Sequence, residues 1–124
     1  MRAADDYHGT VAEKLNKKNA SFKLQAVSGV FRGATFPIDD REVVIGRGND
    51  GCHIRYPADT KGISRTHCSL RVENAYVILR DLGSSQGTYF GDGTKLKPKM
   101  DYRIRNGEYF YLASTKERFR VEFA

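Results

Sequence analysis

His67-Cys68-Ser69-Leu70-Arg71-Val72-Glu73-Asn74-Ala75-Tyr76-Val77-Ile78-Leu79-Arg80-Asp81 is the stretch whose pattern decides the fold. In an extended chain successive side chains point to opposite faces. Cys68, Leu70 and Val72 then share one face, and His67, Ser69 and Arg71 share the other. Glu73-Asn74 is a tight-turn signal, and Tyr76–Asp81 is a second strand-like run.

The same texture extends on both sides. Short apolar-alternating runs punctuated by Gly, Asn and Asp predict strands at Phe22–Val27, Ala34–Ile38, Glu42–Ile45, His53–Tyr56, His67–Glu73 and Tyr76–Asp81. The pattern continues at Thr88–Phe90, Lys95–Lys97, Asp101–Arg105, Glu108–Ala113 and Phe119–Phe123. Strands this close leave little room for helix, so the expected class is all-β, an antiparallel sandwich of about eleven short strands. Asn106-Gly107 is the strongest hairpin cue, between Asp101–Arg105 and Glu108–Ala113.

Residues 1–20 differ in texture. They are polar and mixed in charge, and read as a flexible arm or linker, with a marginal helix near 11–18. The domain proper is expected over 21–124. Among 124 residues, 21 Lys and Arg against 15 Asp and Glu give a net charge of +6. The arm contributes little of that, so the folded part is basic and suited to an anionic partner. Two cysteines, Cys52 and Cys68, make no disulfide framework, and no run is long and apolar enough for a membrane span. A reducing, cytoplasmic setting is expected, either free or as the cytoplasmic part of a larger protein, with no membrane contact by this segment.

Three segments carry the chemistry. Gly46-Arg47-Gly48-Asn49-Asp50-Gly51 has the form G-x-G-x-x-G, but a strand ended by Pro57 follows where a nucleotide fold needs a helix. Cys52-His53 and His67-Cys68 invite a zinc reading; neighbours on a strand point apart, so no metal is expected. Ser64, His67 and Asp81 form a hydrolase triad only on paper, because Ser64 has no nucleophile-elbow context. No enzymatic activity and no cofactor are expected, and His67 reads as a brace for neighbouring backbone. Lys95, Lys97 and Lys99 with Arg103 and Arg105 read as a solvated strand edge rather than a nucleic-acid surface.

What remains is a donor set for a phosphate monoester on a peptide. A phosphorylated side chain carries about −1.5 to −2 charges and three acceptor oxygens. Arg47 offers a guanidinium fork, Ser64 a hydroxyl and a loop N–H, and Arg65 a second cation.

Val44-Ile45-Gly46-Arg47, Ile63-Ser64-Arg65-Thr66-His67-Cys68 and Asp81-Leu82-Gly83-Ser84-Ser85-Gln86-Gly87-Thr88-Tyr89 together resemble the forkhead-associated (FHA) domain, a phosphothreonine-peptide reader. The resemblance covers about residues 22–123 and implies a β-sandwich with its ligand on loops at one end. It implies phosphate contacts from Arg47 and Ser64 with help from Arg65, and peptide contacts from Ser85 and Gln86. It also implies that His67 braces the loops, and that Gly46, Gly83, Gly87 and Thr88 set their shape. The implied partner is a phosphothreonine-containing protein in Ser/Thr-kinase signalling. An intramolecular ligand at Thr10 of the arm is a further implication. Gln86 departs from the family, which usually has Asn there; Gln adds a methylene and a rotor. A module of the same fold that has lost phosphate dependence is the alternative, and a nucleic-acid binder a more distant one.

Overall fold

The computed structural model describes residues 22–39 and 41–123. The arm over 1–20, the helix expected within it and Thr10 lie outside the described residues. Among the described residues ten strands form: β1 (Phe22–Ala26), β2 (Thr35–Ile38), β3 (Val43–Gly46), β4 (Ile54–Arg55), β5 (Cys68–Glu73), β6 (Tyr76–Asp81), β7 (Thr88–Phe90), β8 (Asp101–Ile104), β9 (Tyr109–Leu112) and β10 (Arg118–Glu122). They build two five-stranded sheets, ordered β2-β1-β10-β9-β7 and β4-β3-β5-β6-β8.

Period-two alternation explains the packing. Phe22, Leu24 and Ala26 of β1, Phe119 and Val121 of β10, and Phe110 and Leu112 of β9 face inward from one sheet. Ile45, Cys68, Leu70, Val77, Leu79, Tyr102 and Ile104 meet them from the other. Full burial stabilises each large apolar side chain by roughly 1.5–3 kcal/mol. The β5–β6 hairpin forms as its sequence predicts, with Glu73 opposite Tyr76 and with Asn74 and Ala75 at φ of 52° and 67°. Those left-handed values suit the two-residue hairpin turn that matches strand twist.

Three expectations need correction. The Asn106-Gly107 turn joins no hairpin: β8 pairs with β6, whereas β9 pairs with β10 and β7 in the other sheet. The turn's polar groups are taken by the end of the chain instead. Asn106 Oδ1 accepts the Phe123 N–H at 2.8 Å, and the Gly107 N–H donates to Val121 O at 2.7 Å. Lys95–Lys97 forms no strand, only a bridge between Tyr89 and Lys95. Pro98 follows with no N–H to offer, and Lys99 turns the chain away at φ 64°. Finally, the sandwich is not wholly antiparallel, because the short β4 lies parallel to β3.

Candidate functional site

β3 ends at Gly46, where the chain runs hard against the segment before β5. A Cβ on Gly46 would fall 2.1 Å from Arg65 O. The close approach lets the Arg47 N–H donate to Ser64 O (3.2 Å) and the Gly48 N–H to Arg65 O (3.0 Å). The half-buried Arg47 side chain is then aimed by the 58–63 loop. Its Nε donates to Ile63 O at 2.6 Å and its Nη1 to Ala58 O at 3.4 Å. A guanidinium has five N–H donors, so most of the fork still faces outward.

Ser64 joins this wall to the β6–β7 loop. Its Oγ accepts the Ser85 N–H at 3.0 Å and lies 3.4 Å from Ser85 Oγ. Its N–H donates to His67 Nδ1 at 3.1 Å. With Nδ1 accepting, His67 carries its proton on Nε2, which donates to Gly87 O at 2.8 Å. His67 is fully buried. Burial pushes its pKa below the ordinary histidine value, against smaller opposing effects of the Gly87 carbonyl and the Asp81 charge. The imidazole is therefore a neutral brace between the two loops.

Asp81 shapes the rest of the β6–β7 loop. It extends the inward row of Val77 and Leu79 on β6, so its carboxylate sits buried at the end of the core. Oδ2 accepts the N–H groups of Gly83 and Ser84 (3.0 and 3.1 Å). Oδ1 accepts the hydroxyls of Ser84 and Thr88 (2.6 and 2.7 Å). The Ser84 Oγ in turn accepts the Gly87 N–H at 2.9 Å. Gly83 and Gly87 sit at φ 89° and 90°, the left-handed region that glycine adopts without strain.

A cleft of about 400 Å³ opens between these walls, lined by Arg47, Thr60, Lys61, Ser64, Ser85 and Gln86 among others. Of the residues singled out in the sequence, Arg47, Ser64, Ser85 and Gln86 meet there. Gly46, His67, Gly83, Gly87 and Thr88 stand behind the cleft as its support. Arg65 is exposed beside Gly48 and does not line the cleft. Thr60 and Lys61 were missed; the loop bounded by Pro57 and Gly62 just before Ser64 was the available signal. The anchoring role of Asp81 was also missed, although an Asp two residues before Gly and three before Ser is a local turn pattern.

Among the described residues, the side chains of the competing readings have other partners. Ser64 Oγ faces Ser85, not His67, and the Asp81 carboxylate is filled by other donors. Cys52 Sγ donates to Arg65 O at 3.0 Å, and His53 Nδ1 accepts the Val44 N–H at 3.0 Å. The short strand β4, not a helix, follows the glycine-rich turn.

The FHA domain family model matches residues 43–113. The chain belongs to the FHA domain family. Solved FHA domains share its fold. One, from a structural and functional analysis of phosphothreonine-dependent FHA domain interactions, is 26% identical at a TM-score of 0.68, covering 84% of this chain and 97% of its own. The FhaA FHA domain, solved in complex with the intracellular domain of a second protein, is 26% identical at a TM-score of 0.65, covering 82% and 99%. An FHA domain from an Arabidopsis thaliana hypothetical protein reaches a TM-score of 0.76 at 22% identity, covering 94% and 95%. No curated protein sequence matches the chain. The FHA match begins at β3, so β1, β2 and β10 complete this FHA sandwich from outside it. No helix among the described residues is long and apolar enough to cross a membrane.

Proposed function

We propose that this FHA domain is a non-catalytic reader of phosphothreonine-containing protein segments, acting in the cytoplasm within Ser/Thr-kinase signalling. The partner is a kinase substrate or a kinase itself. The observation that carries the reading is the Arg47 guanidinium, tethered through Nε to Ile63 O and opening on the same cleft as Ser64 and Ser85. Its remaining N–H groups take phosphate oxygens. The Ser64 hydroxyl, already accepting the Ser85 N–H, has its proton to donate. Lys61 adds charge from the facing loop, and Gln86 presents its carboxamide to the peptide backbone. Relatives support the reading: a related FHA domain was solved with a phosphothreonine peptide, at 21% identity. Charge-assisted bonds contribute about 1.5–3 kcal/mol each, and a few of them less ordering costs give affinity on the order of micromolar.

Calorimetric titration of matched peptides with and without the phosphate tests this. Binding should require the phosphate, and Arg47→Ala should abolish most of it while the protein stays folded. Equal affinity for the two peptides would leave a phosphate-independent module. Normal binding by the Arg47→Ala protein would show that the phosphate sits elsewhere.

A further inference from the structure

The basic stretch after β7 finds no use in the phosphate cleft, yet the fold carries it to the cleft's edge. Lys95 Cε lies 2.8 Å from the point a Gly87 Cβ would occupy, and Lys99 Cε lies 3.5 Å from the corresponding point at Gly83. The two lysine stems thus bracket the Gly83–Gly87 loop at its two glycines, with Ser85 and Gln86 between them.

The segment is held firmly. The Leu96 N–H donates to Thr88 O (2.9 Å) and the Lys99 N–H to Asp81 O (2.8 Å). The Lys97 N–H donates to Tyr102 Oη at 2.9 Å. Leu96 is buried in the core, which leaves Lys95 and Lys97 pointing outward. Tyr89 packs on the same spot: its hydroxyl donates to Gln86 O at 3.1 Å and its ring stacks on Tyr111 at 5.0 Å.

Lys95 and Lys99 are exposed and take part in none of the ion pairs among the described residues. The carboxylates closest in sequence are occupied. Asp92 accepts the Thr94 N–H within its own turn, and Asp101 pairs with Arg71 and Arg80. Asp81, which accepts the Lys99 N–H through its own carbonyl, has its carboxylate buried under four donors. A pair of cations with no ion-pair partner among the described residues, beside the peptide loop, is complementary to carboxylates.

We propose that Lys95 and Lys99 form a rim that selects ligands with an acidic segment flanking the phosphothreonine. The rim rests on the phosphopeptide reading, since it concerns the same ligand. Lysines that only guard a sheet edge against aggregation confer no preference among peptides.

The test compares phosphothreonine peptides with one core and either a run of Asp or a run of Ser on the N-terminal or the C-terminal flank. Wild-type and Lys95→Gln/Lys99→Gln proteins are titrated with each, and the acidic-to-neutral affinity ratio is read within each protein. That ratio cancels any general loss of attraction for the phosphate. In the wild type one acidic flank should raise affinity roughly three- to tenfold, the gain from two exposed ion pairs. The gain should shrink at high ionic strength and collapse toward unity in the variant. The single variants, with melting curves, serve if the double variant unfolds. No acidic preference in the wild type, or the same preference in both proteins, overturns the proposal. If unphosphorylated acidic peptides bind as well as phosphorylated ones, and still need the lysines, the phosphate reading falls and the rim stands.

Discussion

Replacing His67 by alanine should destabilise the domain and remove part of its pH dependence. The ring is fully buried and serves two loops through Ser64 N–H and Gly87 O. Its loss leaves the Ser64 N–H without its acceptor, at about 1–3 kcal/mol. Gly87 O suffers less, because the Ala113 N–H still donates to it at 2.9 Å. The void left by the ring adds about 1–2 kcal/mol. The total, about 2–5 kcal/mol, lowers the melting temperature of a domain this size by roughly 8–30 °C. The pH signature follows from the lowered pKa, whose first cause is burial. Below about 6.5, the unfolded histidine takes up a proton that the native one resists. The unfolded state then binds more protons, so wild-type stability falls as the pH drops from 6.5 through the lowered native pKa. The alanine variant should lack this component. Urea unfolding between about pH 5 and 8 measures both effects, and nitrogen NMR should find the proton on Nε2. A loss of stability under about 1 kcal/mol, an unchanged pH slope, or a proton on Nδ1 would refute the brace.

Two further substitutions separate support from contact. Gly46→Ala places a methyl 2.1 Å from Arg65 O and should force the 46–48 and 64–65 segments apart. Urea unfolding should show a loss of about 2–4 kcal/mol, with weaker phosphopeptide binding; unchanged stability would mean that this contact yields easily. Gln86→Asn should leave stability within about 0.5 kcal/mol, because Gln86 is exposed. Calorimetry should show phosphopeptide affinity rising about two- to fivefold, since one rotor fewer is ordered; a loss of affinity would show that the longer side chain is matched to its own ligand.

The sequence by itself determined the class of fold and, of the cleft, the part around Arg47 and Ser64, but not the 58–63 loop that faces them. Alternation is local, so the strands themselves, the shared face of Cys68 and Leu70 on β5 and the turn signalled at Glu73-Asn74 could be read from a few residues each. Arg47 and Ser64 were legible as donors for a phosphate, whereas Ser85 and Gln86 joined them only through the resemblance to the FHA domain. What alternation does not contain is which strand neighbours which. Asn106-Gly107 has the local form of a hairpin turn, yet Tyr102 and Ile104 bury from one sheet and Phe110 and Leu112 from the other. Nor does it show where a polar residue lands along the core axis. Asp81 looks like an ordinary strand end, and only the stacking of two sheets places its carboxylate under the site loop. The tertiary structure likewise decided that Lys95 and Lys99, which look in sequence like any solvated edge, stand over Gly87 and Gly83. Side-chain direction depends on residues two apart, whereas the neighbours that give a charge or a turn its role come from contacts far apart in the chain.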